Sequence, residues 1–78
     1  MKAYVLIRSQ LMDTAGVVEQ IRKVKGVTAA DITFGPYDAV VQIEADDLET
    51  LSRIIIHEIR TLPGVLDTLT CLAAIPPR

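Results

Sequence analysis

The chain has 78 residues, which is enough for one small domain. A formal net charge of −2 and a pI of about 5.1 offer no basic surface to DNA or RNA, and the aromatic residues (two Tyr and one Phe) are too few to stack bases. No apolar run approaches the length of roughly 18 residues that a membrane-spanning helix needs. The apolar run after Met1-Lys2 is too short for a signal peptide, and a single cysteine suits a reducing compartment. We therefore expect a cytoplasmic domain without direct nucleic-acid or membrane contact.

Apolar residues are more abundant than one small core requires. They make up 50% of the chain, and the mean hydropathy is +0.36. A domain of this size buries only roughly 60–65% of the surface of its unfolded chain. Surplus apolar surface commonly marks an association interface. The composition therefore predicts a homo-oligomer.

The first half of the chain predicts a strand, a helix and a second strand. The apolar run Ala3–Ile7 is typical of a strand buried on both faces. Asp13 or Thr14 can cap the helix that follows, and Gly26 is expected to end it. The apolar stripe of this helix consists of Val17, Val18, Ile21 and Val24. The segment Val27–Phe34 predicts the second strand.

A short turn, Gly35–Asp38, separates the second strand from the third, Ala39–Glu44. Glycine and proline do not continue a strand and aspartate favours turns, so this stretch is expected to form a hairpin tip. We call Gly35-Pro36-Tyr37-Asp38 the tip.

The second half predicts another helix and a last strand. Asp46 as N-cap, with Glu49 at the third helical position, resembles a capping box. The expected apolar stripe of this helix is Leu48, Leu51, Ile55, Ile59 and Leu62. Pro63-Gly64 should end the helix. The last strand is predicted over Val65–Ile75, and Pro76–Arg78 is expected to be a tail.

The element order indicates an α+β domain with the ferredoxin-like βαββαβ fold. The segments Ile21–Val27 and Ile59–Val65 are similar, and each combines a helix end, a glycine and a strand start. Two such βαβ units joined by a hairpin give a four-stranded antiparallel sheet with two helices on one face. Because the other face is then uncovered, we expect the domain to dimerise through its sheet.

Few residues suggest chemistry. His57 is predicted to point away from the core, without an orienting partner. Cys71 is expected to be an inert thiol buried among aliphatic residues, and one His with one Cys is too little for a zinc site. The acidic residues at the second helix start are explained by the helix dipole. The sequence therefore predicts no catalytic centre, no metal and no cofactor.

The last strand and the tip carry the remaining polar groups of interest. Thr68 and Thr70 are predicted on one face of the strand, with Leu69 and Cys71 on the other. At the tip, the Tyr37 hydroxyl, the Asp38 carboxylate and the backbone of Gly35 and Pro36 come together. From the residues alone a plain turn is the simpler interpretation, but turns often carry function, and such a tip can hold the ammonium or carboxylate of a small zwitterion, especially against a neighbouring subunit.

Nearly the whole chain resembles the ligand-binding (RAM) domain of the Lrp/AsnC transcriptional regulators. The residues that carry the resemblance are Ala3–Ile7, Val24–Val27, Gly35–Asp38, Leu62–Val65 and Thr68–Thr70. The resemblance implies dimers formed through the sheets, rings of dimers, and an amino-acid effector bound between dimers. It further implies that Gly35, Pro36, Tyr37 and Asp38 contact the ligand and that Thr68 and Thr70 complete the pocket.

Regulators of this family usually place a DNA-binding domain before this one, whereas here the sequence starts at the first strand. The expectation is a single ligand-binding domain over 1–78 without a DNA-binding domain. Such a module would influence transcription by assembling with itself or with full-length relatives. Three alternatives stay open: an ACT-like amino-acid regulatory domain, a small dimeric α+β enzyme, and a structural assembly module without a ligand.

Overall fold

The structure is a computed structural model that describes residues 1–10 and 13–74. The elements are β1 (Lys2–Ser9), α1 (Thr14–Arg22), β2 (Val27–Ile32), β3 (Ala39–Glu44), α2 (Leu48–Ile54) with a π-helical continuation (Ile55–Ile59), and β4 (Val65–Leu72). The sheet order is β2-β3-β1-β4, and all neighbouring strands are antiparallel. The predicted ferredoxin-like βαββαβ fold is confirmed.

The core lies between one face of the sheet and both helices. Its sheet residues alternate along the strands, as a pleated strand requires, and its helix residues come from α1, α2 and the π-helical segment. The core residues are Ala3, Val5, Ile7, Val17, Val18, Ile21, Ala30, Ala39, Val41, Ile43, Leu51, Ile54, Ile55 and Ile59. Both helices therefore cover the same face of the sheet.

The opposite face is uncovered in the single chain, and we call it the open sheet face. Its apolar centre consists of Tyr4, Leu6, Val40 and Leu69, where Leu6 is the cross-strand partner of both Val40 and Leu69. Tyr4 is 38% exposed and Leu69 is 47% exposed. The expectation that β1 is buried on both faces is thus wrong for the single chain, because no helix covers this side.

Cys71 also lies on the open sheet face, as the cross-strand partner of Tyr4. Its side chain is exposed, so the prediction of a buried thiol is wrong. The alternation of β4 was predicted correctly, but the face that carries Leu69 and Cys71 is the open sheet face and not the face that the helices cover.

The N-cap of α1 is one of the two predicted residues, whereas the N-cap of α2 differs from the prediction. Asp13 occupies the N-cap position of α1 without a side-chain capping bond, while the hydroxyls of Thr14 and Ser9 lie 2.7 Å apart. At α2 the cap is Asp47 and not Asp46, since the Asp47 carboxylate accepts the backbone N–H of Thr50 at 2.7 Å. The acidic neighbours made the local pattern ambiguous by one residue.

Several helix and strand ends also differ from the predicted ends. α1 ends at Arg22, before the predicted stop, and Gly26 instead takes a positive φ of 101° where β2 begins. β2 ends at Ile32, and the side chain of Phe34 is fully exposed. β4 ends at Leu72; the predicted extension to Ile75 and the tail Pro76–Arg78 lie outside the described residues.

The second helix changes from α to π geometry at Ile55. The backbone N–H of Arg60 donates to the carbonyl of Ile55 at 2.9 Å, an i to i+5 bond that widens the turn. Across this change, the predicted stripe residues Leu51, Ile55 and Ile59 all lie in the core. Leu48 is half-exposed and Leu62 only partly buried, whereas Ile54 joins Leu51 and Ile55 in the core.

Candidate functional site

The tip is fastened to the end of β1 through Asp38. Its backbone N–H donates to the carbonyl of Ile7 at 2.8 Å, and its carbonyl accepts the N–H of Thr33 at 2.9 Å. Its carboxylate oxygen Oδ2 accepts the backbone N–H of Ser9 at 2.8 Å. Ser9 is the only buried polar residue of the described part of the chain and adjoins an irregularity in the β1–β4 register. Asp38 therefore holds the tip and the end of β1 together.

Arg8 is the second link between β1 and the tip. The Cζ atom of its guanidinium lies 5.3 Å from the centroid of the Tyr37 ring, a cation–π distance. One guanidinium nitrogen also donates to the carbonyl of Pro36 at 3.4 Å. The Thr33 hydroxyl donates to the Tyr37 carbonyl at 2.8 Å. The sequence did not single out Arg8, because its contacts are with residues far along the chain and become visible only once the strands are paired.

The other half of the tip is open to solvent. Gly35 and Pro36 are exposed, and no heavy atom beyond the chain neighbours lies within 4 Å of the position where a Cβ on Gly35 would stand. The backbone of Gly35 does not have a positive φ, so the turn itself does not require glycine here. The space above Gly35 is thus free for a contact from outside the chain.

Thr68 and Thr70 lie on the other side of the sheet. They are the cross-strand partners of Ile7 and Val5, whose side chains belong to the helix-covered core. Together with residues of the second helix they line a shallow groove of about 330 Å³. The lining is Ser52, Ile55, Ile56, Arg60, Thr68 and Thr70. Within one chain, the tip and the two threonines therefore do not line a common pocket.

A larger open cleft of about 460 Å³ lies at the opposite end of the domain, between the α1–β2 turn and the second helix. Lys25, Glu44 and Arg53 are among its charged residues, and none of the predicted ligand contacts lies there.

His57 is exposed, as predicted. Across residues 1–10 and 13–74, no three His, Cys, Asp or Glu side chains are grouped as metal ligands. In the same ranges, no helix has the length and apolar character needed to cross a membrane.

Among known proteins, an uncharacterised HTH-type transcriptional regulator of Pyrococcus abyssi is 32% identical over 74 residues, which are 91% of this chain and 49% of the relative. The chain thus spans about half the length of this curated relative. A solved structure of a Thermus thermophilus protein is 33% identical with a TM-score of 0.91, and the match covers 99% of this chain and 98% of that one.

A transcriptional regulator of Neisseria meningitidis, solved as a complex with L-Met, has the same fold. Its TM-score is 0.85 at 16% identity, over 99% of this chain and 51% of that chain. The profile of the Lrp/AsnC ligand binding domain matches residues 2–74. This match covers nearly the whole chain and agrees with the fold and with the regulators among its relatives. The chain belongs to the Lrp/AsnC ligand-binding domain family.

Proposed function

We propose that this domain binds an amino-acid effector and assembles into oligomers, and that it modulates transcription by assembling with itself or with full-length Lrp/AsnC-type regulators. The effector is held at the tip, by Gly35, Pro36, Tyr37 and Asp38. Thr68 and Thr70 contribute from a neighbouring subunit, since they face away from the tip of their own chain. The protein acts by binding and not by catalysis.

The observation that carries this proposal is the way β1 holds the tip. Asp38 and Arg8 fix its backbone from two sides, while Gly35 and Pro36 stay exposed. A rigid, solvent-facing turn with a phenol and free backbone groups is preorganised for a small polar ligand. The L-Met complex of the Neisseria meningitidis regulator supports an amino acid as the ligand class, although that chain shares only 16% identity.

Assembly is supported by the open sheet face. Tyr4, Leu6, Val40 and Leu69 form a contiguous apolar group in the middle of an uncovered sheet. A second copy packed sheet to sheet would remove these side chains from water, at roughly 25 cal/mol per Å² of apolar surface. Because dimers formed this way leave the tips at their periphery, a ring of dimers can place a tip against the next dimer.

The test is sedimentation or native mass spectrometry, together with melting temperature, in the presence of each proteinogenic amino acid in turn. A ligand stabilises only the states that bind it, so an effector should raise Tm or shift the assembly. A stable oligomer indifferent to every amino acid would favour a structural module. A monomer would contradict both the assembly and the effector site between subunits.

Two alternatives predict different results. An ACT-like regulatory domain would also bind an amino acid, but its function would depend on an enzyme partner and not on Lrp/AsnC-type regulators. Copurification with full-length regulators therefore separates the two. An enzyme would show turnover that is lost in Tyr37→Phe or His57→Ala, whereas the proposal expects no turnover to lose.

A further inference from the structure

We propose that Arg8 and Asp67 form the charge pair that receives the α-carboxylate and the α-ammonium of the effector beside Tyr37. This inference rests on the proposed function, because it assigns the polar contacts of the same site. Neither residue belongs to the tip or to the threonine pair. The two come together only through the pairing of β1 with β4.

Arg8 and Asp67 are directly opposite one another in the β1–β4 register. Residues directly opposite in an antiparallel pair share a face, with Cβ atoms roughly 4.5–5.5 Å apart. Both side chains are exposed. The shared face is the open sheet face, because their neighbours Ile7 and Thr68 form the next pair and Ile7 points into the core. The end of this face therefore carries one fixed cation and one fixed anion on adjacent strands.

The two groups have the chemistry that a free amino acid requires. A guanidinium presents several N–H donors in one plane and binds a carboxylate through two parallel hydrogen bonds. A carboxylate accepts hydrogen bonds from an ammonium group. One oxygen of Asp67 accepts the backbone N–H of Thr68 at 2.9 Å, which orients the carboxyl group. The Tyr37 ring at 5.3 Å from the Arg8 guanidinium limits where the arginine can move and offers an apolar wall beside the ligand.

The other polar residues proposed for the site are less suited to this role. The Asp38 carboxylate already joins the tip to β1 through the N–H of Ser9. Among the described residues, the Asp67 carboxylate accepts only the N–H of its own neighbour Thr68 and holds no other segment in place. Thr68 and Thr70 are uncharged and lie on the other side of the sheet. Arg8 and Asp67 also lie beyond the apolar centre of the open sheet face, at the end where the tip is attached.

The chain contains a matched control at the other end of β1. Lys2 lies 5.7 Å above the Tyr4 ring, and its cross-strand partner is the acidic Glu44 on β3. This second set repeats the cation, the aromatic ring and the opposing carboxylate, but it is far from the tip. Lys2→Met and Glu44→Gln are therefore the controls for Arg8→Met and Asp67→Asn.

The experiment measures Kd by calorimetry for the amino acid that shifts the Tm of the wild type, for its α-amide and for its N-acetyl form. The wild type should bind each derivative at least about tenfold more weakly, since each lacks one charged contact. Arg8→Met should bind the free amino acid more weakly than the wild type does, by a similar factor, and should bind the free amino acid and the α-amide with similar affinity. Asp67→Asn should bind the free amino acid and the N-acetyl form with similar affinity. The two control variants should bind like the wild type.

The outcomes separate this inference from the proposed function. If the wild type responds to amino acids but Arg8→Met and Asp67→Asn keep its affinity and its discrimination, the charge pair is refuted and the effector module stands. If Arg8→Met unfolds, Arg8→Gln replaces it, since glutamine also removes the charge but keeps a polar side chain; unchanged discrimination against the amide would again refute the role of Arg8. If no amino acid binds the wild type, both proposals fail.

Discussion

The carboxylate of Asp38 accepts a hydrogen bond from the backbone N–H of Ser9, with 2.8 Å between Oδ2 and N, across 29 positions of the chain. Ser9 is only 4% exposed, so water cannot easily replace this acceptor. The bond joins the tip to the end of β1, next to the register irregularity between β1 and β4. A residue of the candidate ligand site therefore also stabilises the fold.

Replacement of Asp38 by alanine should lower the free energy of unfolding by about 1–3 kcal/mol, because it leaves a buried N–H without an acceptor. Asp38→Asn keeps a side-chain oxygen in place as acceptor, so its free energy of unfolding should fall clearly less. Urea unfolding of both variants measures the difference. Equal stability of Asp38→Ala and the wild type would mean that the Ser9 N–H is satisfied without Asp38. For effector binding, Asp38→Asn is accordingly the better variant.

Gly26 is expected to resist substitution for a local reason. Its φ is +101°, and a Cβ would stand 2.9 Å from Cδ1 of Ile54 and 3.3 Å from the carbonyl oxygen of Glu44. Gly26→Ala should therefore cost at least about 1–2 kcal/mol of stability. Gly16→Ala is the control, since Gly16 lies within α1 with nothing within 4 Å, and alanine should stabilise that helix by about 0.5–1 kcal/mol. Thermal melts of the two variants should move in opposite directions, and a tolerated Gly26→Ala would contradict the argument.

The order of elements and the position of the tip could be predicted because they depend on local signals. Alternating apolar residues, Gly and Pro stops and the Gly35–Asp38 turn all act within a few neighbouring residues. The alternation of Thr68 and Thr70 on β4 followed from the same period of two and agrees with their pairing to Val5 and Ile7.

What the sequence could not provide depends on contacts between distant segments. The stacking of Arg8 on Tyr37 and the pairing of Arg8 with Asp67 exist only after β1 has aligned with its neighbours. The π-helical turn beginning at Ile55 could not be read from the apolar pattern, because Ile55 and Ile59 lie in the core just as a regular helix predicts. Exposure of Cys71 depends on which face of β4 the helices leave uncovered, which is a property of the complete fold.

Asp47, and not Asp46, should carry the N-cap of α2 in solution. The pKa of Asp47 is held below its ordinary value, first by the backbone hydrogen bond with Thr50, then by the Thr50 side chain, and to a smaller extent by the positive charge of Arg53. Since the folded pKa is depressed, the stabilisation is present above the ordinary aspartate pKa and is lost as the pH falls through the folded value. Asp47→Ala should thus lower Tm at neutral pH, with a difference that shrinks in acid. Asp46→Ala is the control and should leave Tm nearly unchanged; a larger effect of Asp46→Ala would restore the predicted capping box.

The open sheet face should be the dimer interface, and this can be tested with two equally exposed apolar residues. Leu69 on the open sheet face and Ile56 on the π-helical segment are each 47% exposed. A glutamate at position 69 would place an unpaired charge against the apolar centre of a sheet-to-sheet dimer, a cost of several kcal/mol that should raise the dimer Kd about a hundredfold or more. Leu69→Glu should therefore sediment as a monomer at concentrations where Ile56→Glu remains a dimer. Since both positions are already solvent-facing within the chain, circular dichroism should show both variants folded. Dissociation by Ile56→Glu alone would place the interface on the helix side, beside the groove that contains Thr68 and Thr70.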